Sequence, residues 1–263
     1  MSKSGLQKMS RAHNTVLNAA LALARRGFYL FPVVYGKKYP FLDRWRDIST
    51  VDEAEIEIFF CNRFNIGIDC GKSNVVVIDI DPEGFQNYEK LFIVSHTLSA
   101  LTPSGGMHLY FSYDHQKKKI GNTVSKLAKG IDTRGYGGYV LAPPSIVKKE
   151  YTWLNKCDPE KLPETVISLM EEKEIKFRRP FYRTRPFLEE AVEKVRYAPV
   201  GTRNNTLNLC AFLAAKMVLD GKLDYDETFS ALLDAALFCG LGQKESIATI
   251  KSAFRGASSR KVL

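Results

Sequence analysis

The 263-residue chain has only five cysteines, Cys61, Cys70, Cys157, Cys210 and Cys239, with no C-x-x-C pair among them. No Cys or His partner stands at zinc-finger spacing, so neither a disulfide-stapled miniprotein nor structural zinc is expected. Scattered thiols in odd number fit a reducing compartment, and a cytoplasmic protein is expected. No apolar run reaches the ~18 residues of a membrane span. The apolar segment 16–24 is broken by Asn18 and runs into Arg25-Arg26-Gly27, so it reads as a first helix rather than a secretory leader. A G-x-x-x-x-G-K-[ST] loop, an internal repeat and a long low-complexity tract are all missing from the sequence.

What is there begins with an ordinary globular balance, 45% apolar and 25% charged residues, enough to bury one large core or a larger and a smaller one. The 38 basic residues exceed the 29 acidic ones, for a net charge of +9. The excess is uneven: 28 basic and 20 acidic residues lie up to Pro186, and 10 and 9 after it. Between 172 and 186, Lys173, Lys176, Arg178, Arg179, Arg183 and Arg185 face only Glu172 and Glu174. Lys117, Lys118, Lys119, Lys126 and Lys129 form a second cluster with no acid inside it. Such clusters suit an anionic partner such as nucleic acid, although a charge run is also an ordinary solvated face.

Periodicity predicts a helix over 10–26 and a strand over 28–35, which Pro32 assigns to an edge or a bulge. A short helix is expected over 51–61 with Thr50 as N-cap. Strands are expected at 75–80, 107–111 and 138–142, with Met107, Leu109 and Phe111 on one face and His108 and Tyr110 on the other. Helices follow at 83–91 and 163–174. Beyond Pro186, helical patterns at 187–196, 204–219, 225–239 and 243–254 are separated by glycines. The fold class expected is α+β (mixed α/β), followed by a small all-α bundle.

Three motifs can carry chemistry. Asp79 and Asp81 lie at i and i+2 of a strand end, so both carboxylates project to one side. Like charges held together call for a cation or a proton, and oxygen ligands suit Mg²⁺ or Mn²⁺; the same residues also make a good strand-to-turn exit. In Thr102-Pro103-Ser104-Gly105-Gly106-Met107-His108, two glycines let backbone N–H groups approach an anion, with Ser104 and His108 as further donors; a tight turn alone explains such glycines equally well. In the run from Gly130 to Ser145, Asp132 offers a third metal carboxylate and Arg134 a fixed cation for phosphate, unless the two simply pair with each other.

Taken in order, the acidic pair, the Ser104-Gly105-Gly106-Met107-His108 turn and Ile131-Asp132 resemble the bifunctional primase-polymerases of the archaeal–eukaryotic primase superfamily, found on plasmids, phages and other mobile elements. Gly36-Lys37-Lys38-Tyr39-Pro40, Trp45, Asn65-Ile66-Gly67-Ile68 and the run 137–145 are similar too, so the resemblance covers about 20–145. Gly201-Thr202-Arg203-Asn204-Asn205 and Ser252-Ala253-Phe254-Arg255-Gly256 are similar to the helical domain that often follows that core. The resemblance implies a primase-polymerase catalytic domain over 1–171, a basic linker over 172–186 and a helical domain over 187–263. It implies two ions, Mg²⁺ or Mn²⁺, on Asp79, Asp81 and Asp132. Ser104, Gly105, Gly106, His108 and Arg134 would hold the triphosphate, and Lys37 and Lys38 a phosphate or the template. Lys117, Lys118, Lys119, Arg178, Arg179, Arg203 and Asn204 are further template candidates. Tyr110, Tyr136 and Tyr139 are candidates for the sugar 2′ position.

The implied activity is template-dependent nucleotidyl transfer that makes primers de novo on single-stranded DNA and extends them with NTPs or dNTPs, with no membrane partner. A replicative helicase would be a separate protein or fused C-terminally, since no phosphate loop is present. The chain reads equally as a standalone enzyme or the front of a longer one. Two other readings stand beside it: a non-catalytic DNA-binding replication or maintenance protein on the same scaffold, and a D-x-D glycosyltransferase, which leaves the Ser104–His108 turn unexplained.

Overall fold

Residues 15–91, 96–171 and 187–258 are described by the computed structural model of the chain. Residues 15–25 are helical (α1) and bury Ala20, Leu23 and Ala24. Strand β1 (Leu30–Val34), helices α2 (Trp45–Ile48) and α3 (Glu53–Phe59), and strands β2 (Phe64–Asp69) and β3 (Val75–Ile80) follow. A 3-10 turn (Pro82–Gly84) and α4 (Phe85–Glu89) lead to β4 (Ser99–Leu101), β5 (Met107–Ser112), β6 (Thr123–Ala128), β7 (Ile131–Arg134) and β8 (Tyr139–Ala142). The short strands β9 (Thr152–Trp153) and β10 (Glu160–Lys161) and helix α5 (Glu164–Glu171) complete this part.

Two sheets result. One has the order β1-β2-β8, which puts the Pro32 strand at an edge, where a missing N–H is tolerated. The other has the order β6-β7-β3-β5-β4-β9, with β10 beside β5. Every pairing is antiparallel except β10 with β5. The β-branched run of β3 fills the middle of the larger sheet and is covered on both faces. Val76, Ile78 and Ile80 point into a core with Leu109, Phe111 and Ile131 that α5 closes through Val166 and Met170. The odd-numbered residues of β3 point the other way, as does Tyr110, which packs on Phe28 and Trp153.

The sequence pattern misassigned one cap and missed several strands. Thr50 is bridged to Leu30 by two backbone hydrogen bonds of 2.8 and 3.0 Å, so its backbone cannot open a helix. Asp52 caps α3 instead, its carboxylate accepting from the Glu55 N–H at 2.9 Å. β4 is only three residues long, and β6 and β7 carry Ser, Lys, Asp or Arg among few apolar residues, so their strand character comes from ladder partners. β2, F-N-I-G-I-D, does alternate, a signal the sequence reading passed over.

The chain separates into two compact units, the second comprising Leu42–Arg44 and Pro180–Leu263. The second unit holds helices α6 (Phe187–Arg196), α7 (Arg203–Leu219), α8 (Tyr225–Phe238) and α9 (Gln243–Ser258) around Leu207, Phe212, Leu213, Leu232 and Ile250. The basic stretch 172–186, with Arg178 and Arg179, lies outside the described residues.

Near the exit of β3 the backbones of Gly84 and Gly130 touch: a Cβ on Gly84 would lie 2.2 Å from the Gly130 carbonyl oxygen. Gly84→Ala is expected to cost about 1–3 kcal/mol by forcing that contact apart. Gly256→Ala, in open space inside α9, is expected to add about 0.5–1 kcal/mol. Denaturant melts of the two variants should therefore move in opposite directions.

Candidate active site

Asp79 is paired in register with His108 of β5 on one side and with Asp132 of β7 on the other. Directly opposed residues of antiparallel strands project to the same face, so His108, Asp79 and Asp132 form a row across three strands. Arg134, two residues beyond Asp132, shares that face. His108 Nε2 lies 3.4 Å from Asp79 Oδ1. Arg134 Nη2 donates to Asp132 Oδ2 at 2.9 Å and reaches to 3.8 Å from Asp79 Oδ2. Asp132 Oδ1 accepts from the Ser125 N–H at 2.9 Å. Ser125 holds a left-handed backbone, φ 49°, at an irregularity in the β6–β7 ladder, a local strain of the kind found at functional sites. His108 is buried, and its Nδ1 has no hydrogen-bond partner among the described residues.

This face of the sheet forms one wall of a pocket of about 400 Å³ within the first unit, and neither Asp132 nor Asp81 is among the residues that line it. Asp79, His108 and Arg134 face it from the larger sheet, and Tyr139, Val140 and Leu141 of β8 from the smaller one. Lys38 and Arg46 add positive charge. Arg46 lies 4.4 Å over the Trp45 ring and donates to the Gly137 carbonyl. Tyr139 is held by its hydroxyl, which donates to the Lys38 carbonyl at 2.7 Å. Tyr151, ring-to-ring with His108 at 5.7 Å, also lines the pocket, and burial, with Asp79 nearby, pushes its hydroxyl up to about 12.

The remaining predicted residues lie in several places. Ser104, Gly105 and Gly106 make the β4–β5 turn and are not among the pocket's lining residues. Gly106 is pressed on the end of β3, where a Cβ would sit 2.3 Å from the Ile80 carbonyl oxygen. Ser104 is exposed and shares a 3.0 Å hydrogen bond with the Thr102 hydroxyl. Lys37 and Lys117–Lys119 are exposed; Lys117 stands 3.9 Å from Asp114, and Lys119 lies 4.2 Å over the Tyr136 ring. Arg203 and Asn204 belong to the helical unit, where Asn204 accepts from Thr249 at 2.7 Å. Of the three tyrosines considered for the sugar, Tyr139 lines the pocket, while Tyr110 is fully buried among aromatic rings. Arg46, Asn122 and Tyr151 were not singled out in the sequence, since no motif marks them.

The electrostatics separate the two members of the acidic pair. Burial pushes Asp79 up, but the His108 hydrogen bond and charge, Arg134 and Lys38 outweigh it and hold the carboxyl below its usual range. Asp81 goes the other way, raised by desolvation and then by the charges of Asp79, Glu83 and Asp132. Among the described residues no group of three His, Cys, Asp or Glu is assembled as a cation cage. The donor chemistry nevertheless fits a divalent ion: hard carboxylate oxygens, mutually repelling, with Asp81 not committed to capping the turn that follows it. Asp132 already engages both oxygens, and each retains a further lone pair.

The opposite shifts give opposite pH effects in metal-free buffer. Asp79 stabilises the fold above the ordinary carboxylate range, and that contribution is lost as pH falls through its lowered pKa. Asp81 imposes a penalty that grows as pH rises through its raised pKa and is complete at neutrality. Asp81→Asn is expected to raise Tm by about 1–2 °C at pH 7, with the gain vanishing near pH 3, and Asp79→Asn to lower it at pH 7. Thermal melts across that range check both signs.

A comparison with curated proteins returns no match. A family model described as bifunctional DNA primase/polymerase, N-terminal, matches residues 20–165, more than half of the chain, and spans every strand of both sheets and the whole pocket. With the acidic row, the cationic pocket and that match together, the chain belongs to the bifunctional DNA primase/polymerase family.

Proposed function

We propose that the chain is a template-dependent nucleotidyltransferase that makes primers de novo on single-stranded DNA and extends them, with the 79–81–132 acids as its reaction centre. The observation that carries this reading is the row of His108, Asp79 and Asp132, joined by Arg134, of which Asp79, His108 and Arg134 line a pocket with Lys38 and Arg46. Asp79, Asp81 and Asp132 would hold Mg²⁺ or Mn²⁺, two ions in all, supplying activation of the primer 3′-hydroxyl and neutralisation of the pyrophosphate.

The protein's own part is positioning and charge, as phosphoryl transfer asks little covalent chemistry of it. His108 and Arg134 from the larger sheet, Lys38 from the loop after β1 and Arg46 from α2 would present donors to the triphosphate. The Ser104-Gly105-Gly106 turn lies beside the β3 exit, where it would meet the outer phosphates, with the Gly105 N–H already donating to the Thr102 carbonyl at 3.0 Å. Tyr139, fixed by the Lys38 carbonyl, gives the sugar a rigid wall. His108 keeps Asp79 ionised, because its imidazole stabilises the carboxylate it faces. Residues 1–171 would form the catalytic domain, 172–186 a basic linker and 187–263 a helical domain. Lys37, Lys117–Lys119, Arg178, Arg179, Arg203 and Asn204 are each candidate contacts to the template, and a separate or fused helicase would supply single strands.

An unprimed synthesis assay on single-stranded DNA, with labelled NTPs or dNTPs and Mg²⁺ or Mn²⁺, should give metal-dependent products. Asp79→Ala/Asp81→Ala should lose about a thousandfold or more of incorporation while retaining its circular dichroism spectrum. Full activity in that variant would remove the proposed centre. DNA binding without any incorporation by the natural chain would instead establish the non-catalytic DNA-binding protein. Template binding is expected to weaken steeply between 50 and 200 mM salt, roughly in proportion to the phosphates contacted.

A further inference from the structure

We propose that Arg134 is an internal counter-cation that competes with the divalent ion for Asp79 and Asp132, so that ion binding releases its guanidinium to the triphosphate. This rests on the reading that the three aspartates hold the ion.

The argument starts from which oxygens are taken. Asp79 Oδ1 faces His108 Nε2, and Asp132 Oδ1 accepts from the Ser125 N–H. The remaining oxygens, Asp79 Oδ2 and Asp132 Oδ2, both face the same nitrogen, Arg134 Nη2, at 3.8 and 2.9 Å. The guanidinium thus bridges the two acids from neighbouring strands. A divalent ion drawn to these acids is drawn to the same negative charge, and two cations cannot share it without repulsion. Arg134 has somewhere to go: its side chain is 31% exposed and it lines the pocket. A guanidinium displaced there meets the anionic phosphates of a nucleotide, which it can bind through paired N–H donors. Ion and triphosphate should therefore favour each other's binding, and by linkage the favour is mutual.

Mn²⁺ titration of the full chain without nucleotide, followed by electron paramagnetic resonance and calorimetry, tests this. Arg134→Gln removes the competitor and is expected to bind Mn²⁺ about tenfold tighter than the natural chain, while binding a non-hydrolysable triphosphate more weakly. Arg134→Lys, a more compact cation, should fall between the two. A merely structural role would not produce tighter ion binding. Equal or weaker Mn²⁺ binding by folded Arg134→Gln overturns the proposal; if that variant does not fold, Arg134→Lys decides by the same comparison. Mn²⁺ bound by the natural chain, lost in Asp79→Ala/Asp81→Ala and not tightened by either Arg134 variant, leaves the metal site standing and removes only the competition. No Mn²⁺ bound by any of the four proteins removes both.

Discussion

The antiparallel pairing of β3 with β5 and β7 is the constraint on which the rest depends. That register opposes Asp79 to His108 and to Asp132, while the neighbouring Ile78 and Ile80 turn into the core. Because side chains alternate with a period of two, a slip of one residue would bury the acids and expose the isoleucines. The apolar face therefore guards the polar one: burial of Val76, Ile78, Ile80, Leu109, Phe111 and Ile131 fixes where the carboxylates can be. The close backbone contacts Gly84 to Gly130 and Gly106 to Ile80 then fix how the chain leaves and re-enters this end of the sheet.

Three carboxylates at one sheet end are unfavourable in themselves, and the fold answers with cations placed from other elements. His108 and Arg134 come from the strands on either side of β3, Lys38 from the loop after β1, and Arg46 is held over Trp45. The result is a surface where negative and positive groups alternate over a few ångströms. That arrangement suits the phosphoryl transfer proposed above, in which the acids would hold metal ions and the cations the phosphates.

Much of this was legible beforehand. The strand at 75–80 and the helix at 187–196 fall on their expected residues, because a continuous β-branched run and a well-formed amphipathic period leave little competition. The face assignment of Met107, Leu109 and Phe111 against His108 and Tyr110 also followed from alternation alone. The N-cap at Thr50 did not hold, since a capping pattern takes no account of a long-range bridge to Leu30. β7, with the sequence I-D-T-R, shows no strand signal of its own, yet it places Asp132 and Arg134. Of the two readings open for those residues, the pair is present, and Arg134 also reaches Asp79.

What the sequence determined by itself is local: the acids two residues apart at a strand end, the glycine pair before His108, the order of these motifs along the chain, and the excess of basic residues. Those follow from backbone geometry and composition, which need no knowledge of distant neighbours. Only the tertiary structure decided that His108, Asp79 and Asp132 stand in one row, that Arg134 bridges two of them, and that Arg46 and Tyr151 share a pocket with Asp79, His108 and Arg134. These are pairings between strands far apart in the chain, and the register that creates them is chosen by the packing of the opposite face.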